Sequence, residues 1–252
     1  MKFSIITPSY NQAEFLEETI KSVVSQNVDL EYFIQDGGST DGSVDIIKKY
    51  SGKYPFITWQ SKKDKGQANA LNQGLKKCSG NIIAYLNSDD YYLPGALQKV
   101  EKYFNSHPKK KWVVGDCRVS NPKLSWTFFL KHLWPINVNP WFLKIFNTIN
   151  QPSVFLKREL IEKVGRFDES LSYAFDYDYW LRCLTIVGTP GRLKETLSVF
   201  RIQPKSKGNT SFVRQFQEDY RIICRYEKNK IFSCLHLIIS RVTILFYYIL
   251  KK

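Results

Sequence analysis

No two of the five cysteines stand in C-x-x-C spacing, and their number is odd. That argues against a zinc site or a disulfide framework and fits a reducing compartment. Met1 runs straight into a strand pattern, with no charged leader and apolar core of a secretory signal, so none is expected. There is no internal repeat, no low-complexity tract, no P-loop G-K-[ST] and no G-x-G-x-x-G fingerprint. Acids are scarce: 23 Asp and Glu stand against 37 Lys and Arg, a net charge of +14. Such an excess invites an anionic partner, whether nucleic acid, nucleotide or membrane surface. Helix-turn-helix, zinc-finger and RNP patterns are all missing, so a nucleic-acid partner is not expected.

What is present is enough apolar material for a full core. Hydrophobic residues make up 43% and aromatics 15% of 252 residues, which excludes wholesale disorder and fits one large domain, with or without an appendage. Strand patterns fall at 3–7, 31–35, 57–60, 82–86 and 112–115. Helical patterns separate them at 13–25, 43–50, 67–78 and 94–105, the last opening with Pro94 in its first turn. This alternation predicts an α/β fold with a mostly parallel central sheet flanked by helices. Further on, 154–156 and 193–201 read as strands, and 158–164, 176–187 and 211–228 as helices. The aromatic segment 121–150, with Trp126, Phe128, Phe129, Trp134, Trp141, Phe142 and Phe146, follows neither period. It reads either as an excursion that caps the core or as an apolar, lipid-facing flap.

Three strand ends carry the chemistry. They are Thr7-Pro8-Ser9-Tyr10-Asn11, Asp36-Gly37-Gly38-Ser39-Thr40-Asp41-Gly42 and Asn87-Ser88-Asp89-Asp90. In an open α/β sheet the carboxyl ends of neighbouring strands line one crevice, where ligands bind. Asp89 and Asp90, adjacent on a turn, repel unless a cation or donors compensate, and hard oxygens suit Mg²⁺ or Mn²⁺. The same pair also suits a helix N-terminus. Asp36 can accept from a base or ribose, and Asp41 can cap the next helix. Asp64, Gln67, Asn69 and Asn72 stand on the following loop and helix, either at the site or on an ordinary polar helix start. Asp176 and Trp180 share a helix face while Asp178 points away. Asp176 is either presented to a cleft or placed to satisfy the helix dipole.

Together with Asp64-Lys65-Gly66-Gln67-Ala68, Val164-Gly165-Arg166-Phe167-Asp168-Glu169 and Asp176-Tyr177-Asp178-Tyr179-Trp180-Leu181-Arg182, these segments resemble the family 2 glycosyltransferases, inverting enzymes of the GT-A fold. Six matches occur in the family's order over roughly 3–201. The resemblance implies a non-processive enzyme of bacterial polysaccharide or O-antigen type, since the Q-x-x-R-W signature of processive synthases is missing. It implies a nucleotide-sugar set of Pro8, Tyr10, Asn11, Asp36, Asp64, Gln67, Asn69, Asn87, Ser88 and Asp89. Asp89 and Asp90 would hold Mn²⁺ or Mg²⁺, Asp176 would be the catalytic base, and Gln151, Trp180 and Arg182 would face the acceptor. The expected partners are a nucleoside-diphosphate sugar, a UDP-sugar first, and a lipid-linked saccharide. Three positions depart from the pattern: Gly37 where many relatives have Asp, Asn87 at the first D-x-D position, and Gln203 where many have His. These departures keep open a catalytically silent scaffold of the same fold.

The expected layout is a 1–205 transferase domain, with 1–115 binding nucleotide and 116–205 the acceptor, and a 206–252 basic helix with an amphipathic tail. In the tail Ser233, His236, Ser240, Thr243 and Tyr247 recur at helical steps within an apolar run, and Arg241 widens the stripe. Arg241 near the middle argues against a transmembrane span, at about 2.5–3.5 kcal/mol for a central Arg. An interfacial helix at the cytoplasmic face of the cell membrane is expected, against packing on the protein's own core or on a second subunit.

Overall fold

The computed structural model describes residues 1–120, 139–143, 145, 147–203 and 211–250. Most of the aromatic segment, including Trp126, Phe128, Phe129, Trp134 and Phe146, lies outside the described residues.

The first half is a run of βα units: β1 (Phe3–Ser9), α1 (Ala13–Val24), β2 (Leu30–Asp36), α2 (Ser43–Lys53), β3 (Ile57–Ser61), α3 (Gln67–Lys77) and β4 (Ile82–Tyr85). Strand β1 is buried along its whole length, as expected for a parallel strand covered on both faces. After β5 (Tyr91–Tyr92) comes α4 (Ala96–Ser106), which does not begin at Pro94. Gly95, at φ 75° in the left-handed region, separates Pro94 from the first helical residue. The chain continues through β6 (Trp112–Ser120), a short turn α5 (Pro140–Leu143), a 3₁₀ turn (Gln151–Ser153), β7 (Val154–Lys157), α6 (Arg158–Val164), α7 (Phe175–Val187), β8 (Gly191–Arg201), α8 (Phe212–Tyr226) and α9 (Lys230–Leu250).

The eight strands among the described residues form one sheet, ordered β3-β2-β1-β4-β7-β6-β8-β5. The first four are parallel. Strand β7 runs antiparallel to both β4 and β6, and β8 parallel to β6. The carboxyl ends of β4 and β8 therefore lie on the same edge as the amino end of β7. The chain winds outward from β1 to β3, then returns to place β4 on the other side of β1. A reversal of this kind is where open α/β sheets bind ligands, beyond the carboxyl ends of the strands on either side, here β1 and β4.

Two apolar cores cover the two faces. One joins Phe3, Ile5, Tyr32 and Ile34 to α1, α2 and α4. The other joins Ile6, Phe33, Ile83, Trp112 and Leu156 to α3, α6 and α7. A third cluster seats Ile222 and Ile223 of α8 on Tyr177 and Leu181 of α7, so α8 is packed on the fold through an apolar seam. In α9 the polar residues Ser233, His236 and Ser240 are buried, and Ile231, Leu235, Ile238, Val242 and Leu245 are exposed. Tyr247's side chain is outside the described part.

Candidate active site

The loop after β2 is built around Asp36, which is fully buried. Its carboxylate accepts from the Gly38 and Ser39 amides at 3.0 and 2.9 Å and from the Ser39 and Ser61 hydroxyls at 2.5 and 2.7 Å. This corrects the expectation that Asp36 faces a base: its oxygens are spent on folding the loop. Asn11 also serves the loop. At φ 50°, its amide donates to Ser39 Oγ and its Oδ1 accepts from the Thr40 amide. Asp41 accepts from the amides of Ala13 and Ser43, tying together the starts of α1 and α2. Gly37 lies close to two side chains. A Cβ there would lie 3.2 Å from both Asp64 Oδ2 and Tyr10 Cδ2. The Tyr10 ring, 63% exposed, and the half-buried Asp64 thus flank bare backbone, while Pro8 is buried within β1.

The acidic turn follows β4. The Thr19 hydroxyl of α1 lies 2.9 and 2.7 Å from the carbonyls of Ser88 and Asp90 and fixes the turn. Asp90 is fully buried, with Oδ1 accepting from the Arg201 amide at 2.9 Å and Oδ2 from the Asn87 side chain at 3.3 Å. Burial, then the charge of Asp89, pushes the Asp90 carboxyl well above the usual carboxylate range. Asp89 is half-buried and also raised by burial, against a hydrogen bond from Gln203 Nε2 at 2.5 Å. The Arg201 guanidinium bonds neither carboxylate but pairs with Glu18 and donates to the Asp89 carbonyl.

Two desolvated acids on one turn, with no side-chain cation bonded to their carboxylates among the described residues, suit a divalent ion. Asp89 offers the accessible oxygens. Asp90 is corrected as a direct ligand, because its carboxylate is sealed against Arg201 and Asn87. No group of three or more Asp, Glu, His or Cys able to hold a metal occurs among the described residues. An ion here would complete its shell with phosphate oxygens and water, as Mg²⁺-type ions commonly do.

The Asp90 environment gives a stability prediction. A carboxyl whose folded pKa lies above its unfolded value opposes folding while ionised, and the opposition is lost as pH falls from the folded pKa through to the unfolded one. Asp90→Asn keeps an acceptor for the Arg201 amide. It should stabilise the metal-free protein by about 1 kcal/mol, raising Tm by about 2–4 °C at pH 7. Thermal melts should show the gain shrinking at acid pH.

Beside the turn, Gln67 Nε2 donates to Asn87 Oδ1 at 2.6 Å, and Asn87 Nδ2 lies 3.3 Å from Gln151 Oε1. Gln151 is buried and donates to the Tyr85 carbonyl at 2.7 Å. It closes the seam beyond β4 and β7, which corrects its acceptor-side placement. Asn69 and Asn72 donate to Glu169, and Asn72 also brackets the Phe167 backbone. Asn69 is thus corrected from a nucleotide contact to a strut under the 165–169 loop.

Asp176 is the second residue of α7, half-buried, with Oδ1 accepting from the Tyr177 amide at 2.7 Å. The buried Tyr85 hydroxyl has no hydrogen-bond partner among the described residues. Its pKa is pushed well above the usual range by burial first, then by the charges of Asp176 and Asp90. The Phe175 ring, next to Asp176, lies 6.4 Å from the Tyr85 ring, which brings the start of α7 to the end of β4. Trp180 and Arg182 do not join them. Trp180 is 1% exposed and stacked on Trp112 at 5.9 Å. Arg182 bonds Asp178 and the Val164 carbonyl. Their acceptor-side placement is corrected: the first is core, the second a strut.

Motif reasoning missed Tyr85, Thr19 and Glu218. Tyr85 reads as one more apolar residue of a buried strand. Glu218, on α8, accepts from the amides of Ser172, Tyr173 and Ala174, the three residues leading into α7. Its signal in the sequence is weak: Glu218 and Asp219 are the two acids of a helix that also carries Arg214, Arg221 and Arg225. Glu218→Ala leaves three amides without that partner, and should lower turnover about tenfold through misplacement of Asp176. Steady-state kinetics should show the loss in kcat with donor KM little changed.

The pattern described as Glycosyl transferase family 2 matches residues 4–162. An uncharacterized glycosyltransferase of Rickettsia typhi is 29% identical over 73% of this chain and 58% of its own length. The amylovoran biosynthesis glycosyltransferase AmsE of Erwinia amylovora is 27% identical over 79% of this chain and 76% of its own. The chain thus spans under two thirds of the first relative. Among solved structures, S. aureus TarS 1–349 in complex with UDP-GlcNAc superposes with TM-score 0.69 at 16% identity, covering 92% of this chain and 69% of the other. Mannosyltransferase PcManGT from Pyrobaculum calidifontis, with GDP-Man and Mn²⁺, gives 0.69 at 20% identity, covering 94% and 68%. At these identities the likeness is one of fold.

Proposed function

The chain belongs to glycosyl transferase family 2, and from that premise we propose that it moves one sugar from a nucleoside-diphosphate donor to a saccharide hydroxyl with inversion. The observation that most supports the reading is the contact of Phe175, next to Asp176, with Tyr85, the last residue of β4 and four before Asp89, their ring centroids 6.4 Å apart. The exposed Tyr10 ring offers a stacking face for the base, next to the bare Gly37 backbone and Asp64.

Asp176 takes the proton from the acceptor hydroxyl as its oxygen bonds to the anomeric carbon, and the bond to the diphosphate breaks on the opposite face. A divalent ion at Asp89, Mn²⁺ or Mg²⁺, would neutralise charge on the leaving diphosphate. Asp90 and Arg201 hold the Asp89 turn, and Gln203 keeps the Asp89 carboxylate hydrogen-bonded.

A UDP-sugar is the first donor to test, supported by the UDP-GlcNAc complex of the TarS fold neighbour. The GDP-Man complex of the other neighbour makes GDP-sugars the next. A lipid-linked acceptor in surface polysaccharide assembly, reached from the cytoplasmic face of the membrane, fits the amylovoran biosynthesis role in AmsE's name. The proposed layout is a transferase domain over 1–205 and a membrane-associating segment over 206–252. A panel of nucleotide sugars incubated with the protein and Mn²⁺ tests the reading. Metal-dependent release of one nucleoside diphosphate is expected, and no binding or turnover of any panel member would overturn it.

A further inference from the structure

Helix α9 is inside out. Its polar residues Ser233, His236 and Ser240 are 8%, 2% and 4% exposed, while Ile231, Leu235, Ile238, Val242 and Leu245 are 67%, 42%, 58%, 47% and 59% exposed. The five apolar residues follow one another at steps of four and three and so share one face. The helix is held in this orientation by its polar side. His236 Nδ1 lies 2.6 Å from the Ile145 carbonyl. The His236 ring stacks on Tyr220 of α8 at 6.5 Å, and Phe232 meets Trp141 edge-on at 4.6 Å.

We propose that this outward apolar face docks the protein on an anionic lipid surface, the helix lying in the plane of the headgroups. Charge selects the occupant. Residues 228–252 contain Lys228, Lys230, Arg241, Lys251 and Lys252 and no Asp or Glu. Lys230 and Arg241 are exposed and eleven residues apart, three helical turns, which puts both on one edge of the stripe. A second copy would bring the same positive charges against these, whereas anionic headgroups neutralise them. No helix among the described residues is long and apolar enough to cross a membrane, and Arg241 near the middle of α9 opposes a spanning placement. The inference extends the membrane-side reading above, which left open the contact face and the lipid charge. Because vesicle binding needs no sugar transfer, either can fail without the other.

The test is co-sedimentation of the full chain with phosphatidylcholine vesicles, with and without phosphatidylglycerol. Binding is expected only with the anionic lipid, weakening as salt rises. Leu235→Gln with Ile238→Gln and Val242→Gln should weaken it roughly tenfold or more. Lys230→Gln with Arg241→Gln should flatten its salt dependence. Both variants change exposed side chains, and unchanged melting temperatures would show that they fold. Absence of binding, or equal binding to neutral vesicles, overturns the proposal. So does a protein whose stripe variants turn from dimer to monomer while vesicle binding stays the same, since the stripe would then join two subunits.

Discussion

Asp176→Asn should lower sugar transfer about 10²–10⁴-fold while leaving nucleotide binding unchanged. The amide nearly matches the carboxylate in shape and keeps an oxygen for the Tyr177 amide, a bond of 2.7 Å in the wild type, so the start of α7 should hold. What goes is the group that receives the proton. The loss should appear in kcat, and calorimetry with UDP and Mn²⁺ should return the wild-type affinity. A turnover close to wild type would remove Asp176 from the chemistry. A parallel loss of UDP binding would make it part of the donor pocket instead.

Asp89→Asn should abolish the metal dependence of donor binding and cut kcat/KM about 10²–10³-fold, the scale of losing one preorganised electrostatic contact to a developing charge. The wild-type carboxyl is raised by burial, so its replacement removes a desolvated acid and should not weaken the fold. Stability thus separates a lost ligand from a damaged structure. Titration of Mn²⁺ in the presence of UDP should show saturation in the wild type and none in the variant. Residual, metal-independent turnover at the wild-type rate would contradict the role given to Asp89.

These two aspartates could be picked out of the sequence for different reasons. Buried parallel strands such as β1 and β4 read as unbroken apolar runs, so the turn that follows each is easy to find. Asp89 sits on such a turn. Asp176 stood out through its resemblance to a family motif, because a helix-starting Asp alone also suits the dipole. The contact of Gln203 with Asp89 spans 114 residues. It depends on β7 reversing direction between β4 and β6, which no local pattern encodes. Trp180 shows the limit of helical periodicity. It shares a face with Asp176, but one turn further into α7 that face has met Trp112 and the core. In the tail the polar stripe was visible and its direction was not, since that direction depends on contacts with Ile145 and Tyr220. Asp36 stands at a strand end that reads clearly, but its bond from Ser61 forms only when β2 and β3 lie side by side, so no local pattern encodes it.

Diffraction from crystals grown with UDP and Mn²⁺, with the ion located by its anomalous signal, is the most direct test of a single catalytic cleft. The ion should appear on Asp89 with the diphosphate beyond it, the uracil against Tyr10, and the Asp176 side chain on the same side of the sheet. An ion or nucleotide bound away from the carboxyl end of β4, or Asp176 across the molecule from them, would contradict it.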